Sequence, residues 1–289
     1  MTGKNSAKKS VCIFFIVLMA FFSSATITAE AIPTEQKTSV ELSLSISWTF
    51  GCYKETTFAN ISQDFLSPRI QFDTKIYSGN FMHKITLDYF SCKPESTMTS
   101  GSVVYKNYDP ISGETYYEGF KSSLSFHRIR VQYDLAYRAV ENGKLDFFVG
   151  GNFACNAFLQ FENYPSITGL FSVGPTCAIN YQINERNSVS LMGSMPLFGY
   201  GVRPPYAGCD AQLMKYAEED FLKIFTLGNF LSVHNYQSVF LDFSYKLKAN
   251  DWFSLGMGFD CEYSRIAEPE ERPLYYLNGN FNTFGTFRF

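Results

Sequence analysis

The stretch LYYLNGNFNTFGTFRF, residues 274–289, decides the fold. Phe289, Phe287, Gly285, Thr283, Phe281, Gly279 and Leu277 share one parity, while Arg288, Thr286, Phe284, Asn282, Asn280 and Asn278 share the other. Successive side chains on a strand point to opposite faces, so this is a strand with one apolar, aromatic face and one largely polar face.

Nine runs of the same kind precede it. Val40, Leu42, Leu44, Ile46, Trp48 and Phe50 alternate with Glu41, Ser43, Ser45, Ser47 and Thr49, the cleanest period of two in the chain. A polar stretch at 51–68 leads to a second strand over 69–77, with Ile70, Phe72 and Ile76 opposite Gln71, Asp73 and Lys75. Ser78-Gly79-Asn80 is a tight turn. The third strand sets Ile85, Leu87 and Tyr89 against Lys84, Thr86 and Asp88, and a long loop follows to about residue 119. In the fourth strand, 120–139, Leu124 and Phe126 have one parity while Ile129, Val131, Tyr133, Leu135 and Tyr137 have the other. Such a change predicts a bulge near His127 or Arg128. The fifth (Leu145, Phe147, Val149, Phe153, Cys155), sixth (Phe171, Val173, Cys177, Ile179, Tyr181), seventh (Val189, Leu191, Met195, Leu197), eighth (Val239 to Leu247) and ninth (Phe253 to Tyr263) alternate likewise. Pro175 sits inside the sixth, where its missing amide argues against a regular ladder.

Connections after odd strands are long, at 51–68, 91–119, 162–169, 199–236 and 264–273; those after even strands are short, at 78–80, 140–143, 184–187 and 248–251. Together with this alternation, a closing strand that ends on an aromatic resembles the last strand of bacterial outer-membrane β-barrel proteins. The resemblance implies that the terminal aromatics are read by the barrel-insertion machinery, which makes Phe281, Phe287 and Phe289 the expected insertion signal. Such barrels have an even number of antiparallel strands, short periplasmic turns and longer outer loops. The expected fold is therefore all-β: a closed antiparallel transmembrane β-barrel of about ten strands, with a short helix in a long outer loop. A secreted β-sandwich also alternates apolar and polar residues, but its strands are shorter and its loops need not alternate in length.

The amino terminus agrees with export. Lys4, Lys8 and Lys9 precede an uncharged apolar run at 11–22, and Ala29-Glu30-Ala31 offers a small-residue cleavage site. Twelve residues are too few to span a bilayer as a helix. The expected division is a secretory signal peptide at 1–29 and a single barrel domain at 30–289, localised in the outer membrane of a bacterium with two membranes. Losing the three lysines takes the formal charge from −3 to −6, and no basic stripe invites nucleic acid. With 30 Phe and 19 Tyr, the chain can supply an apolar belt and aromatic girdles. None of the seven cysteines has metal-binding spacing. Cys155, Cys177 and Cys261 fall on apolar strand faces, whereas Cys52, Cys92 and Cys209 fall at strand ends, where exported proteins form disulfides.

If the apolar faces meet lipid, the other faces carry Asp73, Lys75, Lys84, Asp88, Arg130, Asp134, Arg138, Asp242, Lys246, Asp260 and Glu262, with Glu41 and Arg288, into the lumen. Ten strands enclose a narrow interior, so these charges are expected to pair and fill it. Ser125 and His127 have a spacing similar to that of the Ser/His pairs of outer-membrane lipid hydrolases. With Leu124 and Phe126 on the lipid side, however, the pair is expected to face the lumen, away from such a substrate. Strand number and length also resemble the omptins, outer-membrane proteases, but Asp210 and His234 make no recognisable constellation. In the longest loop Leu213, Met214, Ala217, Phe221, Leu222 and Ile224 recur at helical spacing after Asp210, as an amphipathic lid over the mouth would. No cofactor, metal or nucleotide motif is present. The leading expectation is a non-enzymatic structural or surface-interaction barrel, meeting an extracellular ligand or protein partner at the 91–119 and 199–236 loops. A narrow pore for small solutes and a lipid hydrolase or protease are the alternatives.

Overall fold

The computed structural model describes residues 38–55, 62–93, 125–161, 166–203, 228–267 and 273–289, the backbone of 95–96, 102–108 and 115–121, and scattered positions between 215 and 227. Its strands are β1 (Ser39–Glu55), β2 (Gln63–Ser78), β3 (Phe81–Cys92), β4 (Glu95–Ser96), β5 (Ser102–Tyr108), β6 (Thr115–Lys121), β7 (Ser125–Asn142), β8 (Leu145–Phe161), β9 (Ser166–Gln182), β10 (Asn187–Ser194), β11 (Phe198–Val202), β12 (Asn229–Ser232), β13 (Tyr236–Lys248), β14 (Phe253–Ile266) and β15 (Leu274–Arg288).

The ladder runs β10-β13-β14-β15-β1-β2-β3-β7-β8-β9, and β9 pairs back onto β10, so an antiparallel ring closes. β11 and β12 prolong β10 and β13 beyond interruptions at 195–197 and 233–235, which leaves ten staves. The first and last staves seal the seam over fifteen registered pairs, from Glu41 opposite Arg288 to Glu55 opposite Leu274. Closure matters because lipid offers no partner for a free amide or carbonyl. The tight turn at 79–80 and that at 143–144 use Gly79 (φ 59°) and Gly143 (φ 50°), a left-handed conformation that costs glycine little.

Along β1, Leu44, Ile46, Trp48 and Phe50 are exposed on the outside while Ser45, Ser47 and Thr49 are buried within. The same exposed belt continues through Ile70, Phe72, Tyr133, Leu135, Val149, Phe153, Val173, Leu241, Phe243, Met257 and Phe281. A transmembrane strand tilted at about 40° needs roughly ten residues, yet β1 has 17 and β7 has 18. The excess lies toward the long connections, so the barrel wall continues past the belt on that side.

Four sequence expectations change. The loop expected at 51–68 is shortened from both ends, because β1 and β2 pair out to Tyr53 and Gln63. The 91–119 loop holds β4, paired to β2, and the β5–β6 hairpin; the 199–236 loop holds β11 and β12. No bulge lies at His127 or Arg128: the β7–β8 register is continuous from Ser125 to Arg138 and shifts only between Arg138 and Val140. Finally, Pro175 stays in register opposite Gly151. Its carbonyl accepts from Met195 N at 3.2 Å, so its missing amide faces the interruption between β10 and β11, where no regular ladder exists. The helix expected over 210–224 falls for the most part outside the described residues.

Candidate functional site

The lumen is filled in layers. Its loop-side end is closed by Tyr53, Phe65, Phe90, Cys92, Phe126, Phe158, Leu170, Leu231, Tyr236, Ile266, Leu274 and Tyr276, all buried and in one cluster. Every stave of this part of the wall except that of β11 contributes. Tyr53 and Phe126 rings lie 4.7 Å apart between centroids, and Phe158 and Tyr276 meet edge-on at 5.5 Å.

Beneath this plug lies a layer of three guanidiniums and three carboxylates, each no more than 5% exposed. Arg69 donates from Nη1 to both oxygens of Asp260 at 2.9 Å, and from Nη2 to Asp88 at 3.1 Å. Arg128 donates to Glu262 and, at 2.9 Å, to Asn156 Oδ1; its other terminal nitrogen is 3.8 Å from Asp88. Arg130 reaches Glu262 at 3.2 Å. Amides complete the layer: Asn280 and Asn282 donate to Asp260 at 2.5 and 2.7 Å. The charges cancel, as a buried ionic group must be compensated. The two layers are also joined, with Arg128 5.0 Å from the Tyr276 ring centre and 5.8 Å from that of Phe158.

The turn-side end is divided. One part is apolar, with Met82, Ala136, Phe148, Ala178 and Met192 packed together and Tyr77 against them. The other is a polar cavity lined by Ser43, Ser45, Gln71, Asp73, Lys75, Lys84, Asp242, Ser244, Lys246, Asn282 and Phe284. Lys84 pairs with Asp242 at 3.1 Å. Glu41 accepts from Lys246 at 2.8 Å and from Arg288 at the rim. Asp73 accepts from Thr86 and Gln71 at 2.6 and 2.7 Å, and Asp134 from Gln132 and Asn152. Arg138 stands at the turn-side rim, 3.0 Å from Glu141.

Of the residues assigned to the lumen by parity, Glu41, Asp73, Lys84, Asp88, Arg130, Asp134, Asp260 and Glu262 are buried and Lys75, Asp242 and Lys246 partly so, while Arg138 stands at the rim and Arg288 is exposed there. Arg69 and Arg128, the largest buried side chains, are absent from that assignment. The first falls at the edge of an expected strand and the second at the expected bulge. Each stands two positions before a polar residue of the same parity, Gln71 and Arg130, and that spacing was the available signal. Phe281 and Phe287 are exposed on the outside of β15, and Phe289, one residue beyond it, is exposed as well.

The orientation of β7 reverses one expectation. Phe126 points inward and is fully buried, so Ser125 and His127 point outward. His127 Nδ1 lies 2.9 Å from Tyr89 OH, and His83 Nδ1 the same distance from Tyr133 OH. A catalytic Ser/His pair also needs an orienting group and an oxyanion site. The Tyr89 and His127 rings stack with their centroids 6.1 Å apart. His234 is exposed in the turn at 233–235, and Asp210 lies outside the described residues. Cys52 points outward and Cys92 inward, and both are free thiols; Cys209 lies outside the described residues. Among the described residues no His, Cys, Asp and Glu side chains form a group that could hold a metal ion.

A closed ring of ten antiparallel staves, apolar outside and charged within, defines a transmembrane β-barrel of the bacterial outer-membrane class. A solved structure agrees. The outer membrane protease OmpT from Escherichia coli superposes with a TM-score of 0.52, over 90% of this chain and 99% of that one, at 6% identity. Neisserial surface protein A matches 87% of this chain and 97% of its own at 9% identity, with a TM-score of 0.34. At such identity the likeness to the protease is one of fold alone, and the second overlap is too low to argue from. No protein-family model matches the sequence, and no curated protein matches it.

Proposed function

We propose that the protein is a non-enzymatic outer-membrane barrel whose task is to hold its loop-side elements at the cell surface for contact with a ligand or protein partner, its lumen closed to solutes. The observation that carries this reading is the double closure of the lumen, an aromatic plug lying directly on a neutral layer of three arginines and three carboxylates. A solute would have to break buried, hydrogen-bonded ion pairs to pass, and removing one partner of such a pair costs about 3–5 kcal/mol. The loop side is also where the chain has invested structure, in the β5–β6 hairpin and the β11–β12 pair. Export with loss of residues 1–29, and assembly by machinery reading Phe281, Phe287 and Phe289, belong to the same proposal.

Planar-bilayer recording tests the closure. The purified barrel should show no steady conductance, with or without residues 204–227; steady ohmic steps would favour the pore. An epitope inserted at 109–114 should be reached by antibody on intact cells, and its inaccessibility would end the display reading. For the hydrolase alternative, phospholipid cleavage lost on Ser125→Ala would replace this proposal.

A further inference from the structure

The polar cavity in the turn-side half of the lumen has a property that the layers above it lack: its charges do not all find partners. Lys75 on β2 stands directly opposite Lys84 on β3, two ammonium groups on one inward face, an arrangement that repels. Lys84 is compensated by Asp242 at 3.1 Å. Lys75 is also in register with Glu41 on β1, but the Glu41 oxygens are taken by Lys246 and Arg288. Asp73, two residues away on the same face, is engaged by Thr86 and Gln71. Among the described residues no hydrogen bond or ion pair involves Lys75. The lining residues carry three lysines against two aspartates, a surplus of one positive charge.

A second observation is independent of the lysines. Ser45, only 4% exposed, lines the same cavity, and its Oγ has no hydrogen-bond partner. A buried hydroxyl without a partner is costly. The space open to the centre of a water molecule is about 40 Å³, enough for about three waters or one small anion. Access is from the turn side, since the guanidinium layer and the aromatic plug close the other direction.

We propose that this cavity binds a small oxyanion, a phosphate or carboxylate group, which pairs with the Lys75 ammonium and accepts a hydrogen bond from Ser45 Oγ.

Inorganic phosphate and acetate, each titrated against chloride at equal ionic strength, are the probes for the purified barrel in detergent. Calorimetric binding and the unfolding temperature are the readouts. Saturable binding of either probe is expected, weakened at least tenfold in Lys75→Gln and severalfold in Ser45→Ala, with Lys248→Gln at the end of β13 unchanged. Without added anion, Lys75→Gln should unfold no earlier than the parent, because it removes an uncompensated charge. Heat gained with neither probe beyond chloride would overturn the proposal, as would equal binding by Lys75→Gln. Should that variant fail to fold, unchanged affinity in Ser45→Ala combined with loss of chloride competition would overturn it too.

Discussion

Arg69 joins three strands through one side chain, bonding Asp260 on β14, Asp88 on β3 and Gln71 on its own strand. Replacing it with leucine leaves two buried carboxylates with less compensation, and Arg69→Leu should lose about 3–5 kcal/mol in urea unfolding from lipid vesicles. Lys248→Ala, which breaks an exposed pair with Asp251, should change stability by less than about 1 kcal/mol in the same assay. Gly256 matters for a different reason. It faces the lumen where the Phe284 ring lies against it, and a Cβ there would meet that ring. Gly256→Ala should cost about 1–3 kcal/mol by overpacking. Adding Phe284→Ala should make the two changes less than additive, since they share one contact.

At the scale of the strand, the outcome depends on height along the barrel. Within the belt, parity reads correctly: apolar residues point out and polar ones in, as Ile46 and Ser45 do. Ile46→Arg would place a charge in acyl chains and should cost about 2–4 kcal/mol near the midplane, measured by the same unfolding. Past the belt the rule inverts. Phe126, Phe65, Phe90 and Phe158 point inward because that part of the wall encloses a core of its own. Phe126→Ala should therefore cost about 3–5 kcal/mol, as in a water-soluble core. This is why β7 looked bulged at His127. A reading that sends every apolar side chain to lipid must invent a parity change, whereas the strand runs straight and the surroundings change. The same logic explains why β1 and β2 read as too short, with Tyr53 and Phe65 taken for loop.

For the whole molecule, a ring with no free edge should resist detergent. The folded and boiled forms should migrate differently on a gel, and identical mobility would contradict the closed barrel. The alternation of Leu277 to Phe289, repeated along nine earlier runs, was enough by itself to establish strands, their number, their antiparallel order and an apolar exterior, because a period of two is a local property of the backbone. Long and short connections told the two ends apart for the same reason. What only the tertiary structure decided is which charges meet. Lys84 and Asp242 are 158 residues apart and Arg69 and Asp260 are 191 apart, and such pairs are set by strand stagger around the closed ring, which no local pattern encodes. The aromatic plug and the partnerless Lys75 are products of that closure as well. Each depends on what stands across the lumen rather than on what stands beside it in the chain.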